Sequence, residues 1–344
     1  MVSSAAMGAA ATSSPGSAPG GAPRLAGVLA PVLTPFRADR SPDPGRLATL
    51  CRWLLGQGCA GLAVFGTTSE ANSLTVEERE RLLEAILAAG VPPAALMPGT
   101  GSCALGDAVR LTGLAVRSGC AGVLVLPPFY YKGVPEEGLF RFFSELVERV
   151  GDRRLRLYLY HIPPVAQVGI PDAVVERLLA RYPGAVAGMK DSSGDWAHAQ
   201  ATLSAFAGSG FDVFVGSERF LLANLKAGGA GCITATGNVN AAGISRLWRE
   251  WRTPGAGALQ AGLDAVRGAF EGHPVVAALK AVVARSTGDP AWRTVRPPLV
   301  ELAPEREARL LADLETLGFR MAAMEGGPVR AGDPVEVRSG GERR

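Results

Sequence analysis

Short apolar runs recur eight times along the middle of this chain, each ending in Gly, Pro, Ser or Thr before a segment with helical spacing. They occupy 27–34, 61–65, 95–99, 122–126, 155–160, 186–190, 212–216 and 231–234. The runs are rich in Val, Leu, Ile and Ala, and several lack the alternation of a half-exposed strand. That is the pattern of strands covered on both faces.

The segments between them carry helix signals. Thr75-Val76-Glu77-Glu78 reads as a capping box, and apolar residues continue at helical spacing from 79 to 89. Leu139, Phe142, Phe143, Leu146 and Val147 mark one face of a helix over 136–150, and Pro171 opens another over 171–180. Strands alternating with helices in this way imply an α/β protein, a (β/α)8 TIM barrel over 25–255. A doubly wound open sheet is the competing arrangement, but no Gly-x-Gly-x-x-Gly follows the first run. Residues 256–320 show no further strand pattern and are expected to form a C-terminal helical extension on the barrel.

Composition narrows the picture at the ends and excludes several functions. Residues 1–24, rich in Ala, Ser, Gly and Pro and free of charge through position 23, read as a disordered leader, and 321–344 as a disordered tail. Hydrophobic residues make up 47% of the 344 and charged ones 19%, which is enough apolar material for a sizeable core. A net charge of +3, with no Lys/Arg run before the last residues, gives no reason to expect nucleic acid or an anionic membrane as partner. The leader lacks a basic n-region and no apolar stretch is long enough to span a bilayer, so a cytoplasmic location is expected. The five cysteines are odd in number and scattered without a Cys-x-x-Cys pair, as suits free thiols in a reducing compartment. His161, His198 and His273 have no metal-ligand spacing, so no metal is expected.

Barrel chemistry sits at the carboxyl ends of the strands, so polar residues ending the eight runs are the candidates. They are Thr34, Thr67, Thr68, Ser69, Glu70, Tyr130, Tyr131, Tyr160, His161, Lys190, Asp191, Ser192, Ser217, Glu218, Thr234 and Thr236. A lysine, tyrosines and many hydroxyls suit carbonyl chemistry by an amine. A lysine withdrawn from water without a partner gives up its proton more readily, and the neutral amine adds to a carbonyl to form a Schiff base. Lys190 ends the sixth run and fits that role; capping the strand or pairing with Asp191 is the alternative. Tyr160 ends the fifth run beside it, as a proton donor and acceptor or as a core aromatic. In Gly66-Thr67-Thr68-Ser69-Glu70, glycine permits close approach and successive amides and hydroxyls suit a carboxylate, although the same residues make ordinary turns.

In order along the chain, Thr34-Pro35-Phe36, Gly66-Thr67-Thr68-Ser69-Glu70, Pro127-Pro128-Phe129-Tyr130-Tyr131, Tyr160-His161-Ile162-Pro163 and Gly188-Met189-Lys190-Asp191 resemble the dihydrodipicolinate synthase / N-acetylneuraminate lyase family of class I aldolases. The resemblance implies that Lys190 forms the Schiff base with pyruvate or another 2-oxo acid and that Tyr160 shuttles protons. It implies that Thr68 relays protons to Tyr160, that Thr67 holds the 2-oxo acid carboxylate, and that Tyr131 completes the relay from a neighbouring subunit. The active form would then be a homo-oligomer, a dimer or tetramer. Ile233 and Gly216 match positions lining the pocket. No metal or organic cofactor is implied, because the lysine is the electron sink, and the partners are a 2-oxo acid and an aldehyde.

Two departures bear on the substrate. The synthase branch carries an arginine after its Tyr-Asn-Val-Pro motif to bind the second substrate's carboxylate; Pro164-Val165-Ala166-Gln167-Val168 has none, and His161 stands in place of the asparagine. Ser69, where many members have glycine, and Lys190-Asp191-Ser192-Ser193-Gly194-Asp195 look more like the branch that cleaves 4-hydroxy-2-oxoglutarate or 2-keto-3-deoxy sugar acids. Ser192, Ser217, Glu218 and Thr236 would then bond substrate hydroxyls, or else simply serve strand ends and turns. Condensation of pyruvate with aspartate semialdehyde and a non-catalytic 2-oxo-acid-binding barrel are the competing functions.

Overall fold

The computed structural model describes residues 24–324. Its seven strands, all parallel where paired, are β1 (Gly27–Ala30), β2 (Gly61–Leu62), β3 (Val123–Val125), β4 (Leu157–His161), β5 (Val186–Asp191), β6 (Asp212–Val215) and β7 (Gly231–Ile233). They form one curled sheet in the order β2-β1-β7-β6-β5-β4-β3. The eighth strand expected at 95–99 is not a regular one. Pro93–Ala95 is a 3-10 turn, and Pro98 has no N–H to donate, so a continuous ladder cannot form. What remains are isolated parallel bridges, Leu62 to Leu96 and Gly99 to Leu124. β1 also stops short, at Ala30, because Pro31 follows it.

One apolar cluster joins Leu29, Ala63, Met97, Leu124, Tyr158, Phe214 and Ile233, drawn from five of the strands and the segments after β2 and before β3. Residues so far apart in sequence meet because the sheet curls around them. The larger clusters lie between the sheet and its helices. The capping box is present: Glu78 N–H donates to Thr75 Oγ1 at 3.2 Å and Thr75 N–H to Glu78 Oε2 at 3.0 Å, at the head of helix Val76–Ala88. Helices Glu136–Val150 and Asp172–Arg181 also occupy the expected segments.

The 256–320 region carries helices Ala256–Phe270, Val275–Thr287 and Pro304–Thr316 and no strand. Of the leader and tail expected at 1–24 and 321–344, all but Arg24 and 321–324 lie outside the described residues. Arg24 pairs with Asp212 at 2.9 Å, and Met321 and Met324 pack on the core. All five cysteines are free; burial pushes the Cys51 and Cys59 thiols up to about 12, which keeps them unreactive. No described helix is long and apolar enough to cross a membrane.

Candidate active site

β4 and β5 are in register with Tyr160 opposite Lys190 and His161 opposite Asp191. Strand alternation therefore sends the first pair to one face and the second to the other. Lys190, only 5% exposed, holds its Nζ 4.1 Å from the centre of the Tyr160 ring. The Tyr160 hydroxyl lies 3.3 Å from Thr67 Oγ1. Burial by itself would raise the phenol's pKa, but the Lys190 charge and hydrogen bonds from Thr67, Lys190 and Ser192 outweigh it and bring the pKa below its ordinary value. The phenol is thus tuned toward giving up its proton next to an amine.

Both side chains open onto a cavity of about 240 Å³ lined also by Thr67, Thr68, Ser192, Gly216, Ser217 and Ile233. Gly216 must be glycine: a Cβ there would come within 2.8 Å of Ser192 Cβ and 2.9 Å of the Asp191 carbonyl oxygen. Gly66 lies just beyond the cavity, beside Thr67 and Tyr160. The loop it opens is bracketed by two non-glycine residues at positive φ, Phe65 at 61° and Glu70 at 56°. Such backbone strain persists only where the surroundings hold it. Here Thr34 Oγ1 donates to the Ser69 carbonyl at 2.7 Å, Ser69 Oγ donates to the Val32 carbonyl at 2.5 Å, and Glu70 is paired with Lys280. The amides of Ser69 and Glu70 close the turn on the carbonyls of Gly66 and Thr67 at 3.1 Å. The amides of Thr67 and Thr68 have no partner among the described residues.

Two placements differ from expectation. The hydroxyl in contact with Tyr160 belongs to Thr67, not Thr68. Glu218 does not line the cavity. It is buried (1% exposed) with its carboxylate taken by the Thr234 and Thr236 hydroxyls and by Arg267 Nη1 at 3.3 Å, so it supports the wall and has no free oxygen for substrate. Tyr131 is 71% exposed and lies outside the cavity of its own chain, edge-on to Tyr130 at 5.3 Å, which leaves its expected role in a neighbouring subunit unchanged. The strand-end rule also overlooked Arg267 and Val275, which reach the cavity from the C-terminal helices. No signal at the strand ends could have found them.

Behind β4 and β5, the fold brings His161, Asp191 and His198 within 4.8 Å of one another, although their linear spacing suggests no metal set. The two imidazoles are stacked 4.4 Å apart and only 14° from parallel, whereas imidazoles that ligate one ion converge on it. His161 Nδ1 accepts from Ile170 N–H at 3.1 Å, and His198 Nδ1 lies 2.6 Å from Asp191. These bonds fix the segment after Lys190. Burial and, less strongly, His198 push the His161 imidazole below its ordinary pKa, with Asp191 and Asp172 opposing without cancelling. A base whose folded pKa is depressed is stable when neutral, and stability is lost as pH falls from the unfolded value toward the folded one. Unfolding in urea at about pH 7.5 and about pH 5.5 should therefore show an acid loss that His161→Asn reduces. Equal losses in both proteins would remove His161 as its source.

Residues 24–317 match the dihydrodipicolinate synthetase family. An uncharacterized DapA-like lyase of Chloroflexus aurantiacus is 34% identical over 284 residues, 82% of this chain and 93% of that protein. The crystal structure of dihydrodipicolinate synthase from Agrobacterium tumefaciens superposes with a TM-score of 0.78 at 31% identity, covering 85% of this chain and 99% of that one. YagE, a prophage protein of the dihydrodipicolinic acid synthase family from E. coli K12 solved with pyruvate, does so at 0.77 and 28%, covering 85% and 98%.

Proposed function

The chain belongs to the dihydrodipicolinate synthetase family, whose members are carbon–carbon lyases, and on that premise we propose that it cleaves a hydroxylated 2-oxo acid to pyruvate and an aldehyde through a Schiff base on Lys190. The observation that carries the proposal is the Lys190–Tyr160–Thr67 arrangement at the mouth of the curled sheet. The bridges through Leu96 and Gly99 support reading the sheet as a closed eight-stave barrel, which places that mouth at the carboxyl ends of its strands.

In this reading Lys190 Nζ adds to the C2 carbonyl, and loss of water from the carbinolamine gives an iminium. The unused amides of Thr67 and Thr68, with the Thr68 hydroxyl, receive the C1 carboxylate. As the C3–C4 bond breaks, its electron pair moves toward the iminium nitrogen, the C4 hydroxyl loses its proton to Tyr160, and the aldehyde leaves. The resulting enamine takes a proton at C3, and hydrolysis frees pyruvate and the amine. Thr67 holds the phenol in place, and Tyr131, exposed here, would complete the relay in a neighbouring subunit. Ser192 and Ser217 line the same cavity and meet the substrate hydroxyls in this reading. The amine is the electron sink, so the scheme needs no cofactor.

Borohydride reduction in the presence of pyruvate tests this directly. A covalent adduct of pyruvate on Lys190 is expected; without one, the chain is a 2-oxo-acid binder or something else. Tyr160→Phe should retain the adduct and slow turnover by about 100-fold or more, the ordinary effect of losing a general acid–base. Undiminished turnover would remove Tyr160 from the chemistry. The 31% identity to a dihydrodipicolinate synthase favours a second reading, condensation of pyruvate with aspartate semialdehyde. Against it stands the missing arginine in 164–168, where the cavity wall is Ile162 and Val165. Rapid consumption of both reactants would establish that second reading.

A further inference from the structure

The wall of the cavity formed by the segment after β4 is apolar, and its nearby cation is already committed: Lys132 Nζ donates to the carbonyls of Phe129 and of Ala166, the latter at 2.7 Å. A guanidinium nevertheless reaches the same cavity from a different part of the chain. Arg267, on helix Ala256–Phe270 of the C-terminal extension, lines it with its side chain 21% exposed. Its protein contacts run through Nη1 alone, to Glu218 Oε2 at 3.3 Å and Thr234 Oγ1 at 3.4 Å, both long. Among the described residues, Nε and Nη2 have no partner. Glu218 also accepts the Thr234 and Thr236 hydroxyls, so its charge is shared among three donors. A guanidinium held at one nitrogen and half-desolvated presents its remaining N–H groups as a fork, the geometry that matches a carboxylate.

We infer that Arg267 reads a second carboxylate at the far end of the substrate, so that the preferred class is the short dicarboxylic 2-oxo acid, of the 4-hydroxy-2-oxoglutarate type. This rests on the Schiff-base reading above, with the first carboxylate at Thr67 and Thr68 and C2 at Lys190. Two features select this class. The acidic residues of the lining are Asp191 and Asp195, and both carboxylates are engaged locally: Asp191 accepts from Ser193 N–H at 2.8 Å and lies 2.6 Å from His198 behind the sheet, and Asp195 accepts from Ala197 N–H at 2.9 Å. Lys190 and Arg267 are the cationic side chains of the lining. The cavity, at about 240 Å³, is also smaller than ordinary ligand pockets, which run from about 300 to about 1,000 Å³. A five-carbon diacid suits that size and charge better than a long polyhydroxylated chain with a neutral end.

A matched pair of compounds separates this from the underlying function. 2-Oxoglutarate and 2-oxopentanoate both form imines, and they differ only in whether the distal end is a carboxylate or a methyl group. Competition between them for borohydride trapping on the full chain, with adducts resolved by mass, should favour 2-oxoglutarate by about tenfold or more, as one well-made charge-assisted contact allows. Arg267→Gln should bring the ratio near one, and Arg267→Lys, which keeps the charge without the fork, should fall between. The lysine variant also serves if the glutamine variant does not fold. Equal trapping by the wild-type chain, or an unchanged ratio in a folded variant, overturns the role of Arg267. Failure of the wild-type chain to trap pyruvate instead overturns the Schiff-base reading itself.

Discussion

Lys190→Ala is expected to abolish cleavage of every 2-oxo acid the protein accepts, a fall of about four orders of magnitude or more, because the covalent electron sink is lost. No other lysine lines the cavity, so no neighbouring amine can take over. The fold should survive. The substitution removes a buried charge together with its packing against the Tyr160 ring, and opposing changes of this kind leave a net effect of about 1–2 kcal/mol. Two measurements decide the matter together: the mass of the borohydride-treated variant and its urea unfolding midpoint. A folded variant that still forms the pyruvate adduct places the nucleophile on another lysine and removes Lys190 from the reaction.

The strong legibility of Lys190 and Tyr160 has a physical origin. Strand periodicity fixes which residue ends a run, and adjacency of successive strands in a parallel sheet then makes neighbours of two residues thirty positions apart. The same logic does not say which of two consecutive hydroxyls faces inward. The loop from Gly66 to Glu70 leaves the strand ladder and passes through left-handed backbone at both ends, so Thr67 and Thr68 cannot be assigned by alternation. Nor does it show that the Glu218 carboxylate is already engaged. A strand-end carboxylate looks available in sequence, while its occupation by Thr234, Thr236 and Arg267 is a property of three-dimensional packing. The run at 95–99 has strand composition, but a single proline removes the donor that regular pairing requires. Arg267 lies in a helix whose sequence shows only amphipathic spacing, and nothing local reveals that this helix turns one cation toward a site built by strands.

Lys280→Met is expected to destabilise the protein by about 3–5 kcal/mol, the cost of leaving a buried partner charge without its counter-ion. Lys280, on helix Val275–Thr287, is fully buried against Glu70, and neither side chain has solvent exposure. Burial pushes the Lys280 amine down to about 8 in spite of Glu70, so the ammonium persists at neutral pH. The ammonium also donates to the Thr294 carbonyl at 2.7 Å and lies 4.4 Å from the centre of the Phe36 ring, while Glu70 Oε2 accepts from Arg296 N–H at 2.9 Å. The pair thus ties the C-terminal extension to the residue that closes the Gly66–Glu70 loop, four positions from the glycine that opens it. Removing both charges in Glu70→Gln/Lys280→Met should recover much of the stability, because neither group then remains buried and unpaired. Activity should not recover in step, since the constraint holding Glu70 at its left-handed φ is weakened and Thr67 loses its fixed approach to Tyr160. Urea unfolding and turnover of the single and double variants read these two consequences separately. A single variant that loses less than about 1 kcal/mol would mean that Glu70 finds another partner and that the extension is not what holds the loop.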